Sequence, residues 1–163
     1  MEEIQRMQDN LLLIRRAVGW TAEEFGDKIG VTRQTINNIE SGRNKLSKTQ
    51  YIAMRSVLDA EIMNSPDDTE MLRVLLEVFV DEPDKYKEEE REQLLAKANL
   101  MVPSILAGTT SREDVSKEWT NAAKFIVGGA LSIFGMACMG IGVSTWLKKL
   151  IDKRCYKDVI III

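Results

Sequence analysis

The chain has 163 residues, of which 45% are hydrophobic and 29% charged, and its formal net charge is −3. This length holds one domain of ordinary size or two small ones, and the charge excludes a globally basic nucleic-acid binder. The absence of histidine removes the commonest metal ligand and general base, and two distant cysteines argue against a disulfide framework.

Charge is distributed unevenly along the chain. Residues 1–65 carry nine basic and nine acidic residues, residues 66–118 carry seven and fourteen, and residues 119–163 carry six and two. Three segments of different charge predict three parts with different roles. We place these parts at residues 1–63, 64–110 and 111–163. The first ten residues, MEEIQRMQDN, lack the apolar run of a secretory signal, so the N-terminal part is expected in the cytoplasm.

The first two predicted helices are marked by caps. Asp9 or Asn10 caps the first, and Gly19 ends it because glycine tolerates the left-handed conformation at a helix C-terminus. Thr21 begins the second helix and is followed three positions later by Glu24. This spacing is typical of a capping box, in which each side chain binds the other residue's backbone N–H.

Two further helices complete the first part. Gly30 ends the second helix, Thr32 caps the third, Gly42 ends the third, and Ser47 opens the fourth. Short second and third helices joined by a tight turn with glycine form a helix-turn-helix. Apolar residues at helical spacing are expected in its core: Leu12, Leu13, Ile14, Ala17, Val18, Phe25, Ile29, Ile36, Ile39, Ile52, Met54 and Leu58.

The outward side of the third helix carries polar residues at one-face spacing: Arg33, Gln34, Asn37 and Asn38. The second helix of such a pair enters a DNA major groove, about 12 Å wide, with its N-terminal end first. Arginine binds guanine through two acceptors, and glutamine or asparagine binds adenine in the same way. A solvated helix face would favour the stronger helix formers Glu and Lys. These four residues are therefore predicted to read bases.

Contacts to DNA phosphates are predicted on both sides of the third helix, at Thr21, Thr32, Thr35, Arg43, Asn44 and Lys45. A solvated turn is the alternative for residues 43–45. The zero net charge of residues 1–65 implies modest non-specific affinity. Since one helix reads few base pairs, two copies are expected to bind half-sites about one helical turn apart.

Residues 10–60 resemble the DNA-binding domain of the phage-repressor/Cro-like (XRE-type) family. The resemblance is carried by Arg15 with Gly19, by Thr21, by residues 30–33 (GVTR) and by residues 39–42 (IESG). It implies a lambda-repressor-like helix-turn-helix fold, binding to double-stranded DNA, and a structural ion pair between Arg15 and Glu40. Ala22 departs from the family pattern, in which a glutamine at this position helps to grip phosphate.

The middle part, residues 64–110, is predicted to be helical and acidic. It opens with a turn at residues 64–68 (NSPDD), followed by a helix over residues 72–79 that breaks at Glu82-Pro83. A second helix follows, which Pro103 kinks or ends. The run EEERE at residues 88–92 reads as a solvated helix face, with docking of a protein partner as the alternative.

The last part, residues 111–163, begins with a helix capped by Ser111. Residues 125–147 contain no charged residue and would span roughly 34 Å as a helix, against a hydrocarbon core of about 30 Å. Trp119 and Trp146 lie near either end of this segment, as interfacial aromatics do. It therefore reads as a long apolar, glycine-rich, membrane-spanning helix, with a packing stripe at Gly128, Ser132, Gly135 and Gly142.

Other interpretations of residues 125–147 stay open. The basic tail that follows would face outward, against the positive-inside tendency. A helix buried inside an oligomer would have a similar sequence, and so would a site for an apolar ligand. The terminal DVIIII is too short to span a bilayer.

The sequence as a whole predicts an all-α transcription regulator, a repressor, that binds DNA, assembles with itself and contacts membrane lipid at the cytoplasmic face. One rival is a soluble repressor or antitoxin whose C-terminal helices bind a protein partner or an apolar ligand. A second rival is a membrane protein whose helix-turn-helix recognises protein. No enzyme, metal or cofactor is predicted, because no constellation of catalytic residues stands out.

Overall fold

A computed structural model of the protein describes residues 2–126. All regular structure in this range is helical, which confirms the predicted all-α class there. The predicted apolar helix lies outside it from residue 127 onward, with Gly128, Ser132, Gly135, Gly142, Trp146 and the terminal DVIIII. The helices are α1 (Glu2–Asp9), α2 (Leu11–Ala17), α3 (Ala22–Ile29), α4 (Arg33–Glu40), α5 (Lys48–Asn64), α6 (Glu70–Leu76), α7 (Glu88–Leu106) and α8 (Arg112–Ile126).

The predicted caps fix the boundaries of α3 and α5. Thr21 Oγ1 accepts a hydrogen bond from the Glu24 N–H at 3.1 Å, and the Glu24 carboxylate accepts one from the Thr21 N–H at 2.7 Å. Ser47 and Gln50 form the same reciprocal pair at the start of α5. Gly30 ends α3 with a left-handed φ of 74°, a conformation that side chains with a Cβ rarely adopt. Local sequence is therefore sufficient to delimit these helices.

α1 is a helix that the sequence analysis does not predict. It lies directly before α2, and Asn10 stands between the two. The Asn10 side chain donates to the Arg6 carbonyl at 2.9 Å, so it closes α1 instead of capping α2, which has no side-chain cap. The predicted start of α2 is nevertheless confirmed.

Two hydrophobic clusters share α2. The first cluster joins α1–α5 to one side of α6: Met7, Leu11, Ile14, Val18, Phe25, Ile36, Ile39, Tyr51, Met54, Leu58 and Leu72 are among its members. The second lies between α2, α6, α7 and α8 and includes Leu13, Ala17, Met71, Leu75, Leu94, Ala98, Val102, Val115 and Trp119. Buried residues of α2 face the two clusters alternately. α2 therefore packs against the rest of the helix-turn-helix part on one side and against the acidic part on the other.

Two expectations about individual residues are wrong, and one alternative for Pro103 is excluded. Leu12, predicted in the core, is exposed because both buried sides of α2 are filled by its neighbours. Trp119, predicted at a membrane interface, is fully buried in the second cluster. α7 continues past Pro103 to Leu106, so Pro103 does not end the helix, and a kink there stays a prediction. Proline has no N–H to donate to the Asn99 carbonyl, but Asn99 is exposed, so water can bond that carbonyl.

Charged contacts join the parts before and after residue 65. Arg55 on α5 binds both carboxylate oxygens of Asp81 at 3.0 and 2.7 Å; Asp81 ends a π-helical turn, Glu77–Asp81, that continues α6. Arg112 at the start of α8 donates to the Val18 carbonyl at 3.0 Å and to Glu61 at 2.8 Å. We call Arg55 and Arg112, with the groups that they bind, the joint. Among residues 2–126, no helix is long and apolar enough to cross a bilayer.

Candidate nucleic-acid interface

α3 and α4 pack closely through a tight turn. Gly26 makes this approach possible, because a Cβ there would lie 2.6 Å from the Val31 carbonyl oxygen. Thr32 then caps α4 by accepting the Thr35 N–H at 3.2 Å, as predicted. On the inner side of α4, Ile36 is fully buried and Ile39 is 1% exposed, so the opposite side of the helix faces solvent.

We call Arg33, Gln34, Asn37 and Asn38 the recognition face. The side chains of Arg33 and Gln34 are exposed, and the two asparagines are half-buried. Gln34 Nε2 donates to Asn38 Oδ1 at 2.9 Å, so two amides one helical turn apart hold each other in place. The helices that follow residue 64 pack mainly on α1, α2 and α5. None of the described helices after residue 64 therefore covers the recognition face.

The residues predicted to touch phosphate flank the recognition face. Thr21 shares a cleft with Arg33 and Asn37, and the hydroxyls of Thr32 and Thr35 lie 3.0 Å apart in the first turn of α4. Beyond the other end of α4, an exposed loop carries Arg43, Asn44 and Lys45. Hydroxyl groups thus lie at one end of α4 and cations at the other, on either side of the residues predicted to read bases.

Gln8 on α1 holds that loop and is a residue the sequence analysis misses. Its Nε2 donates to the carbonyls of Ile39 and Asn44 at 2.9 and 2.8 Å, and its Oε1 accepts from the Leu46 N–H at 2.9 Å. The side chain is 8% exposed. The sequence does carry one signal for this role. Gln8, next to Met7, is a polar residue at a position that helical spacing assigns to the core.

The predicted ion pair between Arg15 and Glu40 is present. Arg15 Nε and Nη2 donate to the two Glu40 oxygens at 2.5 and 3.0 Å, and Nη1 donates to the Trp20 carbonyl at 2.7 Å. Both side chains are 8% exposed. The pair therefore links α2, the turn before α3 and the end of α4, and the two charges satisfy each other within the chain.

The described part of the chain offers little to a metal ion or a small ligand. Within residues 2–126, no group of three or more His, Cys, Asp or Glu side chains is placed to hold a metal. An open cleft of about 460 Å³ lies beside the recognition face, where Arg33 and Asn37 line it. The cleft thus adjoins residues that are predicted to read bases.

Comparison with known proteins identifies a family that matches the N-terminal part of the chain. Residues 11–62 match the family described as Helix-turn-helix, and this range runs from α2 to near the end of α5. The match agrees with the XRE-type resemblance of residues 10–60 and supports a DNA-binding transcription regulator of that type. No curated protein and no solved structure matches the chain significantly.

Proposed function

We propose that the protein is a sequence-specific repressor that acts in the cytoplasm. The proposal starts from the helix-turn-helix domain of the XRE type, which spans α2 to α5. The observation that carries the proposal is the recognition face: four polar side chains, none acidic, on the solvent side of a capped helix. Asparagine is a poor helix former, so a helix that only faces solvent would favour other residues at these positions. A base-reading helix requires this composition, since amides and guanidinium groups match base edges.

The recognition face would enter the major groove with the Thr32 end of α4 first. Arg33 would then bind a guanine, while Gln34 and Asn38 bind adenines. Each two-point contact of this kind contributes about 1–3 kcal/mol of discrimination. The Gln34–Asn38 hydrogen bond fixes amide orientations before binding, which lowers the entropy lost on association.

Affinity would come from the flanking phosphate contacts and from pairing of two copies. The threonines at the start of α4 and the cations of residues 43–45 would fix its register on the duplex. Two copies would bind half-sites about 34–36 Å apart. We assign assembly of the copies to residues 111–163, with close packing at Gly128, Ser132, Gly135 and Gly142.

Selection of binding sites from a pool of random duplexes tests the DNA-binding proposal. The full chain should enrich one short sequence, repeated with two-fold symmetry, and the enrichment should survive an increase in salt that removes non-specific binding. Enrichment of no sequence at either salt concentration would contradict sequence-specific binding. It would favour the rival in which this domain recognises protein.

We further propose that residues 125–147 anchor the regulator at the cytoplasmic face of a membrane, in contact with lipid. The supporting observation is the sequence itself, with 23 consecutive uncharged residues followed by Lys148 and Lys149. The full chain should then sediment with membranes and be released by detergent. The variant Gly135→Lys, with a charge at the segment's centre, should sediment less. Wild-type protein in the soluble fraction would favour a soluble repressor or antitoxin with a protein partner.

A further inference from the structure

Two neighbouring arginines on α2 have opposite surroundings. Arg15 is held by Glu40 and the Trp20 carbonyl. Arg16 has no ion-pair partner in the part of the chain that the structure describes, and its Nε is buried without a hydrogen-bond partner there. The Arg16 side chain is half-buried and lines an open cleft, and a guanidinium group without a carboxylate partner can bind an anion there. Arg16 is therefore a cation whose charge is not paired within the described part of the chain.

The open cleft beside the recognition face supplies a place for that acceptor. Arg16 on α2 and Arg33 on α4 both line it, together with Thr21, Ala22 and Glu23 at the start of α3. Glu23 is the one carboxylate among its lining residues that the structure describes. Arg15 lines the cleft too but is paired with Glu40, so the two remaining arginines outnumber the one carboxylate. The first N–H groups of α3 also lack partners within the helix, and they favour an anion.

We infer that Arg16 binds a phosphate of the DNA backbone in this cleft, next to the first base that α4 reads. The inference rests on the proposed function. The planar guanidinium group binds two phosphate oxygens at once, and the short side chain of Ala22 leaves the cleft open to them. A phosphate held there is a fixed point from which Arg33, on the same cleft, reaches the bases. Arg16 also borders a groove between α2 and α7, so packing is the competing role.

Salt dependence of DNA binding separates the two roles. The affinities of the full-length wild type, Arg16→Gln and Arg16→Lys would be measured for the selected operator and for a scrambled duplex over a range of salt. Arg16→Gln should bind both duplexes about tenfold more weakly and lose about 1 from the slope of log K against log salt. Arg16→Lys should keep most of the slope. Lys97→Gln, which removes an exposed cation of α7, should match wild type.

The outcomes distinguish this inference from the proposed function. An unchanged slope for Arg16→Gln, with or without weaker binding, would show that Arg16 only packs. A shift in the ratio of operator to scrambled affinity would assign it to base reading instead. The wild type could bind DNA without sequence preference while Arg16→Gln still loses about 1 from the slope. That result would contradict the proposed repressor function and support the phosphate site. A wild type that binds no duplex would overturn both.

Discussion

The arginines of the joint and the cations on and beside the recognition face have similar chemistry and different surroundings. Arg55 and Arg112 each bind a carboxylate, and Arg55 is 5% exposed. In the part of the chain that the structure describes, Arg33, Arg43 and Lys45 are exposed and form no ion pair. The first group is satisfied within the chain, whereas the second is available to a ligand.

This difference separates two uses of positive charge. A buried pair gives up hydration of both ions, so removing one partner leaves a charge that nothing compensates. An exposed cation keeps its hydration, and its removal changes stability little, but on DNA it displaces condensed counterions. Loss of stability and loss of salt dependence should therefore follow from different substitutions.

The largest expected effect is on stability, at the buried pair of Arg15 and Glu40. Glu40→Ala should lower the free energy of unfolding by about 3–5 kcal/mol, because it leaves the Arg15 guanidinium buried and unpaired. Urea denaturation measures this loss. Arg33→Ala, on the solvent side of the same helix, should change it by less than about 0.5 kcal/mol. If Glu40→Ala and Arg33→Ala lost equal free energy of unfolding, the distinction between charges paired within the chain and charges exposed at its surface would be wrong.

Gln8→Ala should have an intermediate effect on both properties. It removes the hydrogen bonds that hold residues 44–46, and the cost should be about 1–3 kcal/mol because buried backbone groups lose their partners. The loosened loop should also bind phosphate less well, which lowers the salt dependence of binding. Gln5→Ala, on the exposed side of α1, serves as control. Full stability of the Gln8 variant would mean that the loop holds its shape unaided.

A matched pair of arginine variants tests the comparison directly. Arg112→Ala should cost about 1–2 kcal/mol of stability through its lost bonds to Val18 and Glu61, without altering the salt dependence of DNA binding. Arg43→Ala should leave stability unchanged and remove about 1 from the slope of log K against log salt. Thermal unfolding and binding titrations provide the two readings. The assignment of residues 43–45 to phosphate fails if the Arg43 slope equals that of wild type.

The smallest expected effect is a pH dependence at the start of α3. Hydrogen bonds from the Thr21 backbone and side chain lower the pKa of Glu24 below its ordinary value. The stabilisation is therefore complete above the unfolded-state pKa and is lost as pH falls through the folded-state value. The difference in Tm between wild type and Glu24→Gln should shrink between about pH 7 and about pH 3. A constant difference would indicate that the capping carboxylate contributes nothing as an ion.

The sequence predicts those features of the fold that depend on local chemistry. Thr21, Thr32 and Ser47 cap helices because their hydroxyl groups bond N–H groups three residues away, and this spacing is visible in the chain. The pair between Arg15 and Glu40 is 25 residues apart and was predicted through the family pattern alone.

Features that depend on packing between distant helices were not predictable. α2 contacts two clusters at once, so its exposed side, and with it Leu12, is decided by α7. Trp119 is buried because α8 packs on α6 and α7. Gln8 serves a loop more than 30 residues away, and neither it nor Arg16 belongs to a local motif. For Gln8 the sequence shows a polar residue at a core position, but it does not show which distant groups this residue or the others contact.

The most direct measurement is the ratio of affinities for the selected operator and a scrambled duplex, in wild type and in the double variant Arg33→Ala, Gln34→Ala. Wild type should prefer the operator by about 10³-fold or more. Removal of two base contacts should reduce that preference by at least about 30-fold, with an unchanged unfolding midpoint. A double variant that keeps the wild-type preference would contradict base reading by α4.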